Sequence, residues 1–404
     1  EMPAAAPPPP ARSRRRPRPE ETLKVTVVAL VCFGLVMVYS ASSFTATLDD
    51  RNPMGTALRQ LIFAVVGVGA YLMATRMNLK AVARYAGGLM AVSGVLLTAV
   101  LVPGLGVEVN GSRRWLPLPV VGQLQPAELA KLALVFWIAS SVARNPRVVG
   151  TPRGLVPYLA VTGVFSALIL AEPDLGTASM LFLVTLAMLA VAGARLVHLG
   201  AVGGGVVFLA MGLIAAAPYR RERLLAFLDP WADPQGNGFQ VIQAQVAVGT
   251  GGLKGVGLGD GMQKAFYLPE AHTDMILATI GEELGFIGIA ALLAALALVV
   301  LLAFRIAMNA PDMSRRLIAV GVTVMIGAQT LDNAASSLGM MPITGVPLPF
   351  VSYGGSSLIM LLFSTGLLVN IGRSAKKTRT QRRAGQRPEG ADRSERHGGA
   401  RGAR

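Results

Sequence analysis

The residues best placed for chemistry lie in one stretch, Phe266-Tyr-Leu-Pro-Glu-Ala-His-Thr-Asp-Met-Ile-Leu-Ala-Thr-Ile-Gly-Glu-Glu-Leu-Gly285. It closes the longest polar segment between apolar runs and opens a new apolar helical pattern. His272, Thr273 and Asp274 therefore fall where that helix meets water. Thr273 or Asp274 can act as its N-cap, a role worth about 0.5–2 kcal/mol. Capping and chemistry are compatible here, because a carboxylate at a helix start is held rigidly. The helix N-terminus favours the anion, whereas a partly dry headgroup setting disfavours it. A carboxylate so balanced can accept a proton from a hydroxyl group.

Other charged or polar groups sit where membrane protein sequences rarely put them. Ala278, Gly281, Gly285 and Gly288 share one helical face below Asp274, a small-residue stripe that permits close helix contact. Glu282 and Glu283 lie two turns down the same helix, where a charge is costly and demands either a function or a basic partner. Glu128 and Lys131 are spaced i, i+3 at the start of another apolar run and can pair with each other. Just before them, Asn110-Gly-Ser-Arg-Arg-Trp115 brings Arg113, Arg114 and the belt residue Trp115 to an interface. Glu172 and Asp174 in Glu172-Pro-Asp-Leu-Gly-Thr177 are i, i+2, which suits a turn and N-cap better than a metal site. Pro342 to Ser357, with Ser352 and Tyr353, reads as a polar re-entrant segment. His198 reads as an interfacial histidine. The glycines between 251 and 261 follow no strand, so a flexible loop is favoured over a phosphate cradle.

The elements that position these groups follow from composition. The 404 residues are 53% hydrophobic and only 15% charged, against about 25% charged in a soluble globule. Apolar runs near the ~20-residue spanning length recur. The expected fold is an all-α integral membrane protein of ten transmembrane helices, with a large extracellular loop between helices 7 and 8. The spans fall near 25–43, 57–75, 82–102, 126–143, 154–171, 176–193, 196–217, 274–304, 317–338 and 353–372. The first run is too long for a signal-peptide core and is read as a retained span. Residues 1–23 and 374–404 are expected to be disordered basic tails flanking a membrane domain over 24–373. Basic residues in both tails and in alternate loops place both termini in the cytoplasm. The net charge of +15 thus reflects orientation and anionic lipid, not nucleic acid, because it forms no face interleaved with aromatics. Arg113, Arg114, Arg220, Arg221 and Arg223 break the rule by falling in outside loops. Either an anionic headgroup or pyrophosphate, or plain snorkelling, accounts for them. Within loop 218–273, residues 223–230 and 239–247 could form interfacial helices. The single cysteine, Cys32, permits no internal disulfide, and no zinc spacing, nucleophile elbow or Walker loop is present.

Taken together, Tyr267-Leu-Pro-Glu-Ala-His-Thr-Asp274 with Gly281-Glu-Glu-Leu-Gly285, Glu172-Pro-Asp-Leu-Gly-Thr177, Asn110-Gly-Ser-Arg-Arg-Trp115, Glu128-Leu-Ala-Lys131 and Leu348-Pro-Phe-Val-Ser-Tyr-Gly-Gly-Ser-Ser357 resemble the SEDS (shape, elongation, division, sporulation) family over about residues 25–373. The first motif is nearer the division branch than the elongation branch. The resemblance implies a ten-span peptidoglycan glycosyltransferase that polymerises lipid II outside the bacterial plasma membrane at the septum. It implies Asp274 as the catalytic carboxylate, with Arg113, Trp115, Glu128 and Lys131 in the cavity beside it. A class B penicillin-binding transpeptidase and other divisome membrane proteins would be its partners. The pre-activated donor needs no ATP. One inverting displacement needs a base on the acceptor hydroxyl and cations on the leaving pyrophosphate. Arg113, Arg114, Lys131 and the Arg220–Arg223 cluster are candidates for the cations, with His272, Ser352 and Tyr353 as further substrate contacts. A divalent cation, Mg2+ or Mn2+, could assist. Two departures stand out: Asn333-Ala-Ala-Ser-Ser337 replaces a segment that usually ends in a second Asn, and Met275 stands where Phe is common. A lipid II flippase and a non-catalytic divisome scaffold are the rival readings.

Overall fold

The computed structural model describes residues 18–48, 52–109, 111–118 and 122–385. Asn110 and the expected tail segments 1–17 and 386–404 lie outside the described residues. Long helices dominate: α1 (Pro19–Leu48), α2 (Gly55–Arg76), α3 (Leu79–Leu101), α4 (Pro126–Arg144), α5 (Pro152–Ala171), α6 (Leu175–Val191) and α7 (Leu196–Ala216). After a mixed segment come α11 (Ile276–Met308), α12 (Met313–Ser337) and α13 (Gly355–Gly385). Among the described residues, nine of these are long and apolar enough to cross a membrane, and α6, at 17 residues, is a shorter apolar helix. Burial ranks them. Helices α4, α12 and α13 are mostly enclosed by protein, whereas α7 is almost wholly exposed. In a bilayer, exposed side chains such as Phe208 and Val197 on α7 face lipid, which is as apolar as the core.

Close helix contact is bought with small residues. A Cβ on Gly366 of α13 would stand 2.5 Å from the Tyr71 carbonyl oxygen of α2. Lower on the same pair, Asn370 Nδ2 donates to the Ala74 and Met77 carbonyls at 2.9 and 2.8 Å, adding to the Met77 N–H bond that closes the end of α2.

Three sequence expectations change, while the helices expected within 218–273 are present. Helix α1 begins at Pro19 and Leu23 is fully buried, so the last five residues of the expected N-terminal tail are helical. Likewise α13 runs on to Gly385, past the expected domain end at 373. Segment 103–125 is not a simple loop. It forms an antiparallel sheet of β1 (Val107–Val109), β2 (Ser112–Leu118) and β3 (Gly122–Leu124), with Val107 opposite Trp115 and Leu116 opposite Leu124. Segment 218–273 holds α8 (Pro218–Leu228), α9 (Phe239–Gly251) and the short α10 (Gln263–Phe266). Helix α9 buries Val241, Ile242, Ala244, Ala247 and Gly251 and exposes Val246. This face packs α9 against α11, where Gly251 meets the Gly281 carbonyl.

The glycine-rich run is neither a flexible loop nor a phosphate cradle. Helix α11 breaks at Gly285 (φ 67°, ψ −167°), which interrupts its hydrogen-bond ladder. Segment 252–257 fills the gap. Val256 N donates to Glu282 O (3.0 Å) and Gly257 N to Glu283 O (3.1 Å), while Phe286 N and Ile287 N donate to Gly252 O and Leu253 O at 2.8 and 3.2 Å. Backbone approaches this close leave no room for a Cβ on Gly255 or Gly285, and both adopt positive φ. The expected small-residue stripe below Asp274 therefore ends at this break.

Candidate active site

Asp274 lies just outside α11. The N-cap position is Met275, and no side chain caps the helix there, so neither Thr273 nor Asp274 has the expected capping role. Rigidity comes instead through the main chain. Asn333 Nδ2 donates to the Asp274 carbonyl at 2.7 Å and to the Val346 carbonyl at 2.9 Å, and Ser337 Oγ donates to the Asp274 carbonyl at 3.2 Å. Both donors come from α12, four residues apart on one face. Ser337 thus supplies a hydrogen bond at the place where a second Asn was missed in the sequence.

The carboxylate is half-buried, shielded without being sealed. Its pKa is pushed up to about 6, first by desolvation and then by Glu270, against hydrogen bonds from its own backbone and Thr273 and attraction to Arg223. Thr273 Oγ1 lies 3.3 Å from Oδ1. Gly345 faces it. A Cβ there would stand 3.9 Å from both Asp274 Oδ2 and Arg114 Nη1, so those two atoms are no more than twice that distance apart across an exposed notch without a side chain.

Arg114 spans that notch from β2. Its Nε donates to the Glu172 carbonyl (3.0 Å) and its Nη2 to the Pro173 carbonyl (2.5 Å), and Nη1 stands 4.0 Å from Asp174 Oδ2. The turn it grips is the expected one. Asp174 caps α6 by accepting from Thr177 N and Oγ1, each at 2.9 Å. Glu172 is fully buried with neither carboxylate oxygen hydrogen-bonded. Desolvation, then Asp174, raises its pKa to about 8 against the pull of Arg114, so it is largely neutral at pH 7. On the other flank, Arg223 of α8 donates to the Ile343 carbonyl at 3.1 Å, and Thr344 Oγ1 donates to Asp332. His272 packs its ring on Tyr353, centroids 5.5 Å apart, and its carbonyl accepts from Tyr353 N at 2.9 Å. Desolvation lowers the His272 pKa, favouring the neutral imidazole.

The structure thus places Arg114 across the Gly345 notch from Asp274 and packs His272 on Tyr353, while Arg223 is the arginine of the 220–223 cluster whose charge acts on the acid. It engages the other candidates elsewhere. Arg113 pairs with Glu108 across the hairpin, at 2.9 Å. Arg220 reaches the Leu170 carbonyl at 3.4 Å, and Arg221 is exposed. Ser352 is turned inward, where its hydroxyl accepts from Leu348 N at 2.8 Å. Glu128 and Lys131 form a buried ion pair at 2.8 Å, as their spacing allowed. Trp115 is half-buried on β2. Glu283 pairs with Lys264 of α10 and accepts from Ser40 of α1; Glu282 accepts from Met262 N and Gln263 N at 2.7 and 3.0 Å. Among the described residues no three His, Cys, Asp or Glu converge as a metal site. The side chains around Asp274 do not form a cage for a divalent cation.

A bundle of membrane-length helices that carries one half-buried carboxylate and several guanidinium groups at its edge defines a polytopic membrane protein. The chain matches the model of the FtsW/RodA/SpoVE family, described as cell cycle proteins, over residues 21–377, and it belongs to that family. It is 44% identical over 357 residues to the probable peptidoglycan glycosyltransferase FtsW of Trichlorobacter lovleyi, covering 88% of this chain and 93% of that one. It is 40% identical over 365 residues to the stage V sporulation protein E of Bacillus subtilis, covering 89% and 98%. Among solved structures it resembles a chain of a peptidoglycan synthase complex that coordinates polymerisation and crosslinking (TM-score 0.71, 32% identity, 87% and 97% covered). It also resembles the rod-shape-determining protein RodA of Thermus thermophilus (TM-score 0.63, 27% identity, 87% and 96% covered).

Proposed function

We propose that this chain is a peptidoglycan glycosyltransferase of septal wall synthesis that polymerises lipid II at the outer face of the bacterial plasma membrane. In this reading the chain makes ten spans, both termini are cytoplasmic, and segments 103–125 and 218–273 lie outside. Asp274 takes the proton from the acceptor sugar hydroxyl as its oxygen attacks the anomeric carbon of the donor. The bond to the polyprenyl pyrophosphate breaks on the opposite face, and that group leaves with the electron pair. Arg114 and Arg223 attract the departing pyrophosphate. The exposed notch at Gly345 admits the reacting groups, with His272 and Tyr353 as further substrate contacts. The names of the relatives support the activity. The likeness to a synthase complex supports pairing with a class B penicillin-binding transpeptidase among other divisome membrane proteins.

The observation that carries the reading is the fixed, half-buried Asp274 with its raised pKa, facing Arg114 across the Gly345 notch. A carboxylate with a pKa near the working pH is a better proton acceptor than an ordinary one. The test is glycan formation from labelled lipid II by the purified protein with its transpeptidase. Asp274→Ala should abolish polymer while the protein stays folded. Lipid II crossing liposomes with no polymer from the parent protein would instead identify a flippase.

A further inference from the structure

Helix α11, 33 residues long, carries the chain from beside Asp274 to the far end of the bundle. A second cavity of about 780 Å³ opens at that end, between the start of α3, the last turn of α4 and the start of α12. Four cations line it, Lys80, Arg84, Arg144 and Arg315, against one carboxylate, Asp312. That acid is already engaged. It caps α12 by accepting from Arg315 N at 2.9 Å and pairs with the Arg315 guanidinium at 2.5 Å. Lys80 and Arg84 make no ion pair among the described residues, and Arg144 uses only Nε, on the Ser140 carbonyl at 3.2 Å. Arg315 Nε is buried without a hydrogen-bond partner. The first turns of two helices, α3 and α12, add positive partial charge to the same space.

We infer that this cavity is a binding site for a phosphate-bearing anion, and that its occupant is the headgroup of an anionic phospholipid. Three arguments support a lipid over a free anion. The cavity is framed by the ends of membrane-length helices, which places it at headgroup depth. Its lining includes apolar Leu79, Ala83 and Ala143 beside the cations, a mixture that suits the headgroup and glycerol end of a lipid. Basic pockets between spans are where such headgroups are retained. The cations also converge from three helices that are far apart in sequence. An occupant would tie α3, α4 and α12 together, and α12 carries the two residues that hold the Asp274 carbonyl.

The test uses the full chain in detergent with phosphatidylglycerol, phosphatidylcholine or inorganic phosphate, read by native mass spectrometry and by thermal midpoint. The parent should retain phosphatidylglycerol selectively and gain stability from it. The triple variant Lys80→Ala, Arg84→Ala, Arg144→Ala should weaken that retention on the order of a hundredfold. A second triple variant, Arg153→Ala, Arg195→Ala, Arg305→Ala, removes the same charge at the same end of the bundle but outside the cavity. It should hold the lipid nearly as the parent does. Equal loss in both variants, or equal retention of phosphatidylcholine, overturns the proposal. Inorganic phosphate stabilising the parent as much as phosphatidylglycerol would assign the cavity to a free anion and overturn the lipid assignment.

Discussion

The raised pKa of Asp274 makes a linked pair of predictions, one on rate and one on stability. A general base works only when ionised, so polymerisation should rise with pH through about 6 and level off above it. At pH 5 a carboxylate of pKa 6 is ionised in about 9% of molecules, against about 94% for an unperturbed Asp. The rate at pH 5 should therefore fall roughly tenfold below the plateau. Glu270→Gln removes the second cause of the shift and should move the midpoint towards the ordinary Asp value. Stability runs the opposite way. Between the ordinary Asp value of 3.8 and about 6, the folded protein binds more protons at this site than the unfolded chain. Stability is then fully present at low pH and declines as pH rises through that window. A shift of about 2 units corresponds to up to about 3 kcal/mol, an upper bound because the side chain is partly solvated. Asp274→Asn should accordingly abolish polymerisation yet raise the thermal midpoint at pH 7.5, and the gain should vanish near pH 4. Rates of the parent and Glu270→Gln with labelled lipid II, and midpoints of the parent and Asp274→Asn, measured from pH 4 to 8, check this. A flat rate down to pH 5, or an Asn variant less stable than the parent at pH 7.5, would refute the reasoning.

Three further outcomes follow from the geometry. Asn333→Ala leaves the buried Val346 carbonyl without its donor and the Asp274 carbonyl with only Ser337. It should lower kcat at least tenfold with little change in KM and cost about 1–3 kcal/mol; Ser337→Ala should do less, and steady-state kinetics will rank them. Arg114→Ala should reduce polymerisation strongly, whereas Arg113→Ala, whose side chain pairs with Glu108 on its own hairpin, should stay near the parent rate. Lys264→Met strands Glu283 and should destabilise by about 3–5 kcal/mol, while Lys264→Met with Glu283→Leu should recover most of the loss. Thermal melts of the single and double variants decide that last point.

Hydropathy made the membrane helices legible because bilayer thickness imposes a length on every span. The sheet in 107–124 was not legible. Its strands are short and carry Arg113, Arg114 and Pro117 in place of a clean alternation. The break in α11 was hidden for another reason. Gly285 sits in a small-residue stripe that also fits an intact helix, and only the distant segment 252–257 turns it into a kink. At the site, Asp274, Arg114, His272 and Tyr353 were visible as residue types at an interface. The grip of Asn333 and Ser337 was not, because a side chain that acts on a main-chain carbonyl 59 or 63 residues away leaves no local spacing signal. The 342–357 segment was recognised as unusual, yet its exposed glycine at 345 proved closer to the acid than its serine at 352.

The fate of the intramembrane charges weighs on what the bundle can do. A transporter needs ionisable groups free to change partners near the bilayer midplane. Here Glu128 and Lys131 neutralise each other, Glu283 is matched by Lys264 and Ser40, and Glu282 holds two backbone amides of the 262–263 turn. Each is buried and engaged in structure, and the Glu282 and Glu283 contacts clamp the 252–264 segment onto the break in α11. That clamp leads into α10 and the Tyr267–Met275 segment, which enters α11 without a capping side chain. A stretch with so little regular structure can hold a carboxylate still only if both ends are anchored. The clamp holds one end, and α12 holds the other through Asn333 and Ser337. Loosening either anchor should therefore lower the rate of the Asp274 chemistry before it unfolds the bundle.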